Sequence, residues 1–168
     1  MKNPSLALAA IVAALLCFTP GGAVSPAAAQ EAAPLSGPGS ALQIPKALLI
    51  QPADLNRILA APSGSKPLVL QVGSHVLYAE AHIPGSEYAG PGADPDGLAR
   101  LKTRVNSLPR SQWIVIYCGC CPWNHCPNAG PAFSRLKQMG FTNIKVLYLA
   151  DNFGANWVAK GYPAEKGR

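Results

Sequence analysis

Apolar positions change their spacing along the chain, and each change marks an element. Positions 6–18 are an unbroken apolar run, broken by Pro20-Gly21-Gly22. Lys2 gives it a positive flank and Ala27-Ala28-Ala29 offers small residues for cleavage. Residues 1–30 therefore read as a secretory signal peptide. The run is too short to span a bilayer comfortably, and an uncleaved anchor is the alternative. Cys17 falls inside this segment, with Leu16 where a lipidated cysteine needs a small residue before it. Residues 31–43, rich in Pro, Gly, Ser and Ala with almost no charge, read as a disordered linker.

Beyond the linker the periods alternate between two and 3.6. A short strand is predicted over 47–50, then a helix over 51–59 with Pro52 in its first turn and Leu55, Ile58 and Leu59 on one face. The mostly apolar run 67–72 reads as a strand buried on both faces. One or two helical turns over 76–81 end at His82-Ile83-Pro84-Gly85, and 88–95 is a Gly/Pro-rich loop. Leu98, Leu101, Val105 and Leu108 mark an amphipathic helix stopped by Pro109. A buried strand follows over 113–117. The next helix, over 129–139, has Ala129, Ala132, Phe133, Leu136 and Met139 as its apolar face and Gly140 just past its end. A strand over 143–149 and a helical turn over 156–160 complete the order. Alternating strands and helices predict an α/β fold in one domain over 44–165. Its central parallel sheet has about five strands, with helices on both faces.

Composition narrows the function classes. The 168 residues include 14 Lys and Arg and 8 Asp and Glu. From Glu31 onward 13 basic and 8 acidic residues remain, a net charge of 13 − 8 = +5. The basic residues are scattered and do not interleave with aromatics, so no nucleic-acid footprint is present. There is no Gly-rich phosphate loop and no internal repeat. A mild positive field favours small anionic substrates.

The chemistry concentrates in one loop. Cys118, Cys120, Cys121 and Cys126 are four of the five cysteines, and they fall within nine residues. They follow a predicted strand and precede a predicted helix, at the carboxyl edge where α/β proteins keep their sites. Export places them in an oxidising compartment, where disulfides form. Cys120 and Cys121 are adjacent, so a bond between them is strained. A structural disulfide such as Cys121–Cys126 is one reading. A zinc or copper site made with His125 is another.

Four segments in order carry a resemblance to a single rhodanese-like (sulfurtransferase) domain. They are Leu68-Val69-Leu70-Gln71-Val72, Ala81-His82-Ile83-Pro84-Gly85, Ile114-Val115-Ile116-Tyr117-Cys118, and residues 139–147 followed by Trp157-Val158-Ala159-Lys160-Gly161-Tyr162-Pro163. The resemblance implies a sulfurtransferase that carries sulfane sulfur as a persulfide on Cys118. The implied donor is thiosulfate or another small anionic sulfur compound, and the acceptor is a thiol or cyanide. No cofactor or metal is implied. Export implies a periplasmic or secreted protein with no stable membrane insertion after signal cleavage. Backbone amides of the loop and the helix beginning near Ala129 would stabilise the Cys118 thiolate. Cys121 or Cys120 could take the nucleophile's place. Cys120, Cys121 and Cys126 could also resolve a persulfide or pair as disulfides. Gly119, Trp123 and His125 are the candidate pocket residues. The chain departs from the family pattern at Gln71 and Gly73, where an acid and an arginine are usual. Its cysteine loop is also longer and lacks an arginine. A thiol-disulfide oxidoreductase and a metal- or persulfide-binding module are the rival readings.

Overall fold

The computed structural model describes residues 44–167. The expected signal peptide (1–30) and linker (31–43) lie outside the described residues.

Five strands form one parallel sheet: β1 (Leu49–Ile50), β2 (Leu68–Gln71), β3 (Glu87–Tyr88), β4 (Ile114–Tyr117) and β5 (Ile144–Leu147). Their spatial order is β1-β5-β4-β2-β3. The helices are α1 (Pro52–Ala60), α2 (His75–Glu80), α3 (Pro95–Val105), α4 (Ala129–Gln138) and α5 (Phe153–Asn156). The α/β architecture expected from the alternating periods is what the chain adopts. Among the described residues, no helix is long and apolar enough to cross a membrane.

β4 is the middle strand, paired with β2 from Leu68↔Ile114 and with β5 from Ile114↔Ile144. All four of its residues are buried. Successive side chains of a strand point to opposite faces. Ile114, Ile116 and then Cys118 thus face one core layer, with Leu101 and Val105 of α3 and Ala132 and Leu136 of α4. Val115 and Tyr117 face the other, with Leu55 of α1, Phe153 of α5 and Trp157. From β2 the chain moves on to β3, at one edge, and from β4 to β5, on the opposite side. The loops after β2 and β4 therefore diverge, and that topological switch point is where open α/β sheets place their sites.

The structure corrects four local expectations. Residues 46–48 form a 3₁₀ turn closed by Leu48 N donating to Pro45 O at 2.8 Å, so β1 keeps only two residues. β1 is an edge strand with one neighbour, and the local turn bond wins over further pairing there. Where the segment read as a loop, 88–95, begins, Glu87 and Tyr88 pair with Leu70 and Gln71. A two-residue edge strand has too little length to show a period. Arg104 of α3 holds it from outside, its Nη2 donating to Glu87 Oε1 at 2.8 Å. α3 starts at Pro95, not Leu98, because Asp94 caps it by accepting from Asp96 N at 3.0 Å and Pro95 suits the first turn. The terminal helical turn expected over 156–160 divides into α5 and a 3₁₀ turn at Val158–Lys160. Asn152 starts α5 early by accepting from Ala155 N at 2.9 Å.

Two histidine and tryptophan assignments follow from packing. His82 is buried, stacks on Tyr78 with ring centroids 4.0 Å apart and hydrogen-bonds Tyr78 O through Nδ1 at 2.8 Å. Its backbone exchanges two hydrogen bonds of 2.9 Å with Glu165, pinning the carboxyl end of the domain. Trp157 is 1 % exposed, stacks on Phe153, and donates from Nε1 to Pro163 O at 2.8 Å. Trp157→Ala should destabilise the domain by about 3–5 kcal/mol, since it empties a large buried site. Urea unfolding followed by circular dichroism checks this.

Candidate active site

Cys118 is the first residue past β4 and is 6 % exposed. The strand end behind it is fixed from both faces. On the far face Tyr117 Oη contacts Ser86 Oγ at 3.1 Å and accepts from Ile83 N at 3.2 Å. Burial pushes this phenol up to about 12, so it stays neutral. Beside Cys118, the buried Gln71 closes the gap between the diverging loops. Its Nε2 donates to Cys118 O at 3.1 Å and its Oε1 accepts from Gly73 N at 3.1 Å. Gly73 is required by space: a Cβ there would lie 2.8 Å from Cys118 O and 3.1 Å from Cys118 Sγ.

Gly119 turns the chain with φ +79°, a left-handed conformation that costs glycine little. Its carbonyl accepts from Phe153 N at 3.1 Å, and a Cβ would come within 2.9 Å of Phe153 Cβ. The loop is then tied down by Trp123, which packs on Tyr148 at 5.3 Å and donates its backbone N–H to Ala150 O at 3.1 Å. It re-enters the core at Cys126, 3 % exposed, and at the buried Asn128.

The four cysteines are free thiols that converge. Cys118 Sγ lies 3.0 Å from Cys120 Sγ, and Cys120 Sγ lies 3.0 Å from Cys121 Sγ. Asn128 Nδ2 donates to Cys118 Sγ at 3.2 Å, while its Oδ1 accepts from Ala93 N at 3.0 Å. A cavity of about 10 Å³ opens onto Cys118, Cys121 and Cys126, with Trp123, Leu147 and Leu149 as its apolar wall. That is room for about one water-sized atom.

The arrangement changes where the negative charge settles. Cys120 is held far below the ordinary thiol range because Cys118 and then Cys126 donate to it. For the same reason Cys118 is held well above that range: donation to Cys120 and to Cys126 comes first and burial adds to it. Cys121 is pushed up by burial and by its contact with Cys120. The cluster thus gives up one proton readily and resists losing a second, behaving as one coupled acid.

This corrects the helix part of the expected cradle around Cys118, while a loop amide, that of Cys120, does reach it. Cys126 is held above the ordinary thiol range: the contact with Cys118 eases it most, contact with Cys120 and burial raise it, and the amides of Ala129 and Asn128 at the start of α4 ease it further. Cys118 instead receives the Cys120 amide and the Asn128 side chain. The reason is loop length: ten residues, 119–128, separate Cys118 from α4, and they carry the chain back so that the helix amides meet Cys126. The Cys121–Cys126 disulfide reading is also not what the structure contains, since both are free thiols. Of the candidate pocket residues, Gly119 and Trp123 line the cavity. His125 does not; it is exposed, and its Nδ1 contacts Asn124 Oδ1 at 2.8 Å. Gln71 and Asn128 are positioning residues that sequence reasoning did not identify. The one available signal was an amide side chain at the end of an otherwise apolar strand.

No family model matches the chain, and no curated protein matches it. Solved structures do. The rhodanese-like domain of an Anabaena sp protein aligns with 71 % of this chain and 79 % of its own, at 23 % identity and TM-score 0.52. Thiosulfate sulfurtransferase from Pseudomonas aeruginosa aligns over 71 % of this chain and 19 % of its own, at 24 % identity and TM-score 0.51. A variant of EanB, solved as a cysteine persulfide with ergothioneine, aligns over 70 % of this chain and 28 % of its own, at 21 % identity and TM-score 0.52. The fold is rhodanese-like. Within this rhodanese-like domain, Gln71 and Gly73 form the neutral clamp described above at the positions where the family resemblance leads one to expect an acid and an arginine.

The shared proton has a measurable consequence. One thiol of the reduced domain should stay reactive toward iodoacetamide down to about pH 6, well below the free-thiol value of about 8.5. Cys120→Ser should move that reactivity toward the ordinary range. A pH profile of alkylation, with the modified peptide identified, provides the check.

Proposed function

We propose that this domain is an exported sulfurtransferase that carries sulfane sulfur on Cys118. One observation carries the reading: a cysteine at the switch point of a rhodanese-like sheet opens onto a cavity sized for a single atom and touches a thiol that readily holds negative charge. Two of the solved structures that share the fold are, by name, a thiosulfate sulfurtransferase and a cysteine persulfide. The apolar run near the amino terminus supports export to the periplasm or beyond.

The chemistry runs in two displacements. Cys118 passes its proton along the 3.0 Å contact to Cys120 and attacks the outer sulfur of thiosulfate or a similar donor. A Cys118–sulfur bond forms, the donor's S–S bond breaks, and sulfite leaves with the electron pair. The persulfide's outer sulfur is then attacked by a thiolate or by cyanide. This returns the Cys118 thiolate and releases a new persulfide or thiocyanate. Asn128 Nδ2 supports the sulfur anion in both steps, as a charge-assisted hydrogen-bond donor.

Intact-mass analysis tests the proposal directly. Reduced protein incubated with thiosulfate should gain one sulfur and lose it to cyanide, and Cys118→Ser should gain none. A Cys118→Ser variant that still takes up cyanide-labile sulfur would reject the assignment.

The Cys118–Cys120 contact also favours a second reading, a thiol-disulfide oxidoreductase. In that case a redox titration gives one reversible two-electron couple, and no cyanide-labile sulfur forms.

A further inference from the structure

We propose that Cys118, Cys120 and Cys121 form a binding site for a soft monovalent cation, copper(I), held by three thiolates. The proposal goes beyond sulfur transfer and does not depend on it.

The three sulfurs lie within 4.8 Å of one another, and two of the three pairs are at 3.0 Å. Metal–thiolate bonds of about 2.3 Å in a trigonal site set sulfurs about 4 Å apart. The observed spacings bracket that value, so side-chain movements of about an ångström would admit an ion. The surroundings select its character. The adjoining one-atom cavity is lined by sulfur and by apolar side chains, and no carboxylate borders it. Hard cations have no oxygen side chain to bind there, whereas thiolates select soft ions. His125, the one nearby imidazole, is turned out to Asn124. Zinc in structural sites takes four ligands. The fourth sulfur, on Cys126, touches Cys118 and Cys120 but lies outside the group whose sulfurs are all within 4.8 Å of one another, and the amides that open α4 hold it. Asn128 supplies the outer hydrogen bond that orients metal-bound thiolates, reaching Cys118 Sγ at 3.2 Å and Cys120 Sγ at 3.9 Å. Binding replaces the thiol protons that remain with three copper–sulfur bonds, with no change of oxidation state.

The experiment is an anaerobic titration of the reduced full chain with copper(I) against a competing chromogenic chelator, followed by X-ray absorption of the loaded protein. One copper per chain, surrounded by three sulfurs and no lighter ligand, is the expected result. Cys120→Ser and Cys121→Ser alter partly exposed positions and should fold, which circular dichroism verifies; each should weaken binding by more than about 10-fold. Cys126→Ser and His125→Ala should keep one equivalent. Nitrogen or oxygen ligands in the absorption spectrum, loss of copper in Cys126→Ser, full retention in Cys120→Ser, or displacement of copper(I) by equimolar zinc would each overturn the site. Persulfide formation is measured on metal-free protein, so failure of the copper titration and failure of the sulfur-transfer test remain separate outcomes.

Discussion

The rest of the site depends on one buried carboxamide. Gln71 ties the carboxyl ends of β2 and β4 together at the point where their loops part, donating to Cys118 O and accepting from Gly73 N. An open sheet leaves a crevice there. In this chain the crevice is closed by a neutral group and by a glycine with no side chain to spare. Cys118 is thereby held at a fixed height above the sheet edge. Its sulfur meets Cys120 in the loop that follows and the Asn128 side chain at the loop's end.

That loop brings its own electrostatics. A single cysteine at a strand end relies on backbone dipoles to ionise. Here contacting thiols do the same with S–H donors, and the first charge then suppresses the others. Cys120 gains from Cys118 and Cys126, and Cys118 loses by the same contacts. In the proposed reaction, nucleophile and charge-holder are therefore separate residues joined by a 3.0 Å contact. Under the two proposals, the same grouping of soft atoms around a one-atom cavity would take either a sulfane sulfur or a soft cation. The two would compete for Cys118.

The sheet was largely legible because burial enforces pattern. Ile114 to Tyr117 and Leu68 to Leu70 are covered on both faces or nearly so, and they read as continuous apolar runs. Glu87–Tyr88 was not legible, because an edge strand of two residues is specified by its neighbour's hydrogen bonds and by Arg104, none of which is local. The start of α3 lies in Asp94 and Pro95, a capping signal outweighed by the Gly/Pro-rich composition just before it.

By itself the sequence determined the α/β order, the strand that delivers Cys118, and the clustering of four thiols after it, since each depends on residues close together in the chain. Tertiary structure alone decided which thiol faces the amides of α4, that Asn128 turns its amide onto Cys118, and that Gln71 bridges a separation of 47 residues to hold the cysteine's carbonyl. Those outcomes depend on where a long loop re-enters the core and on which groups meet across the switch point. Distances of that kind are fixed by packing, and no local pattern of residues encodes them.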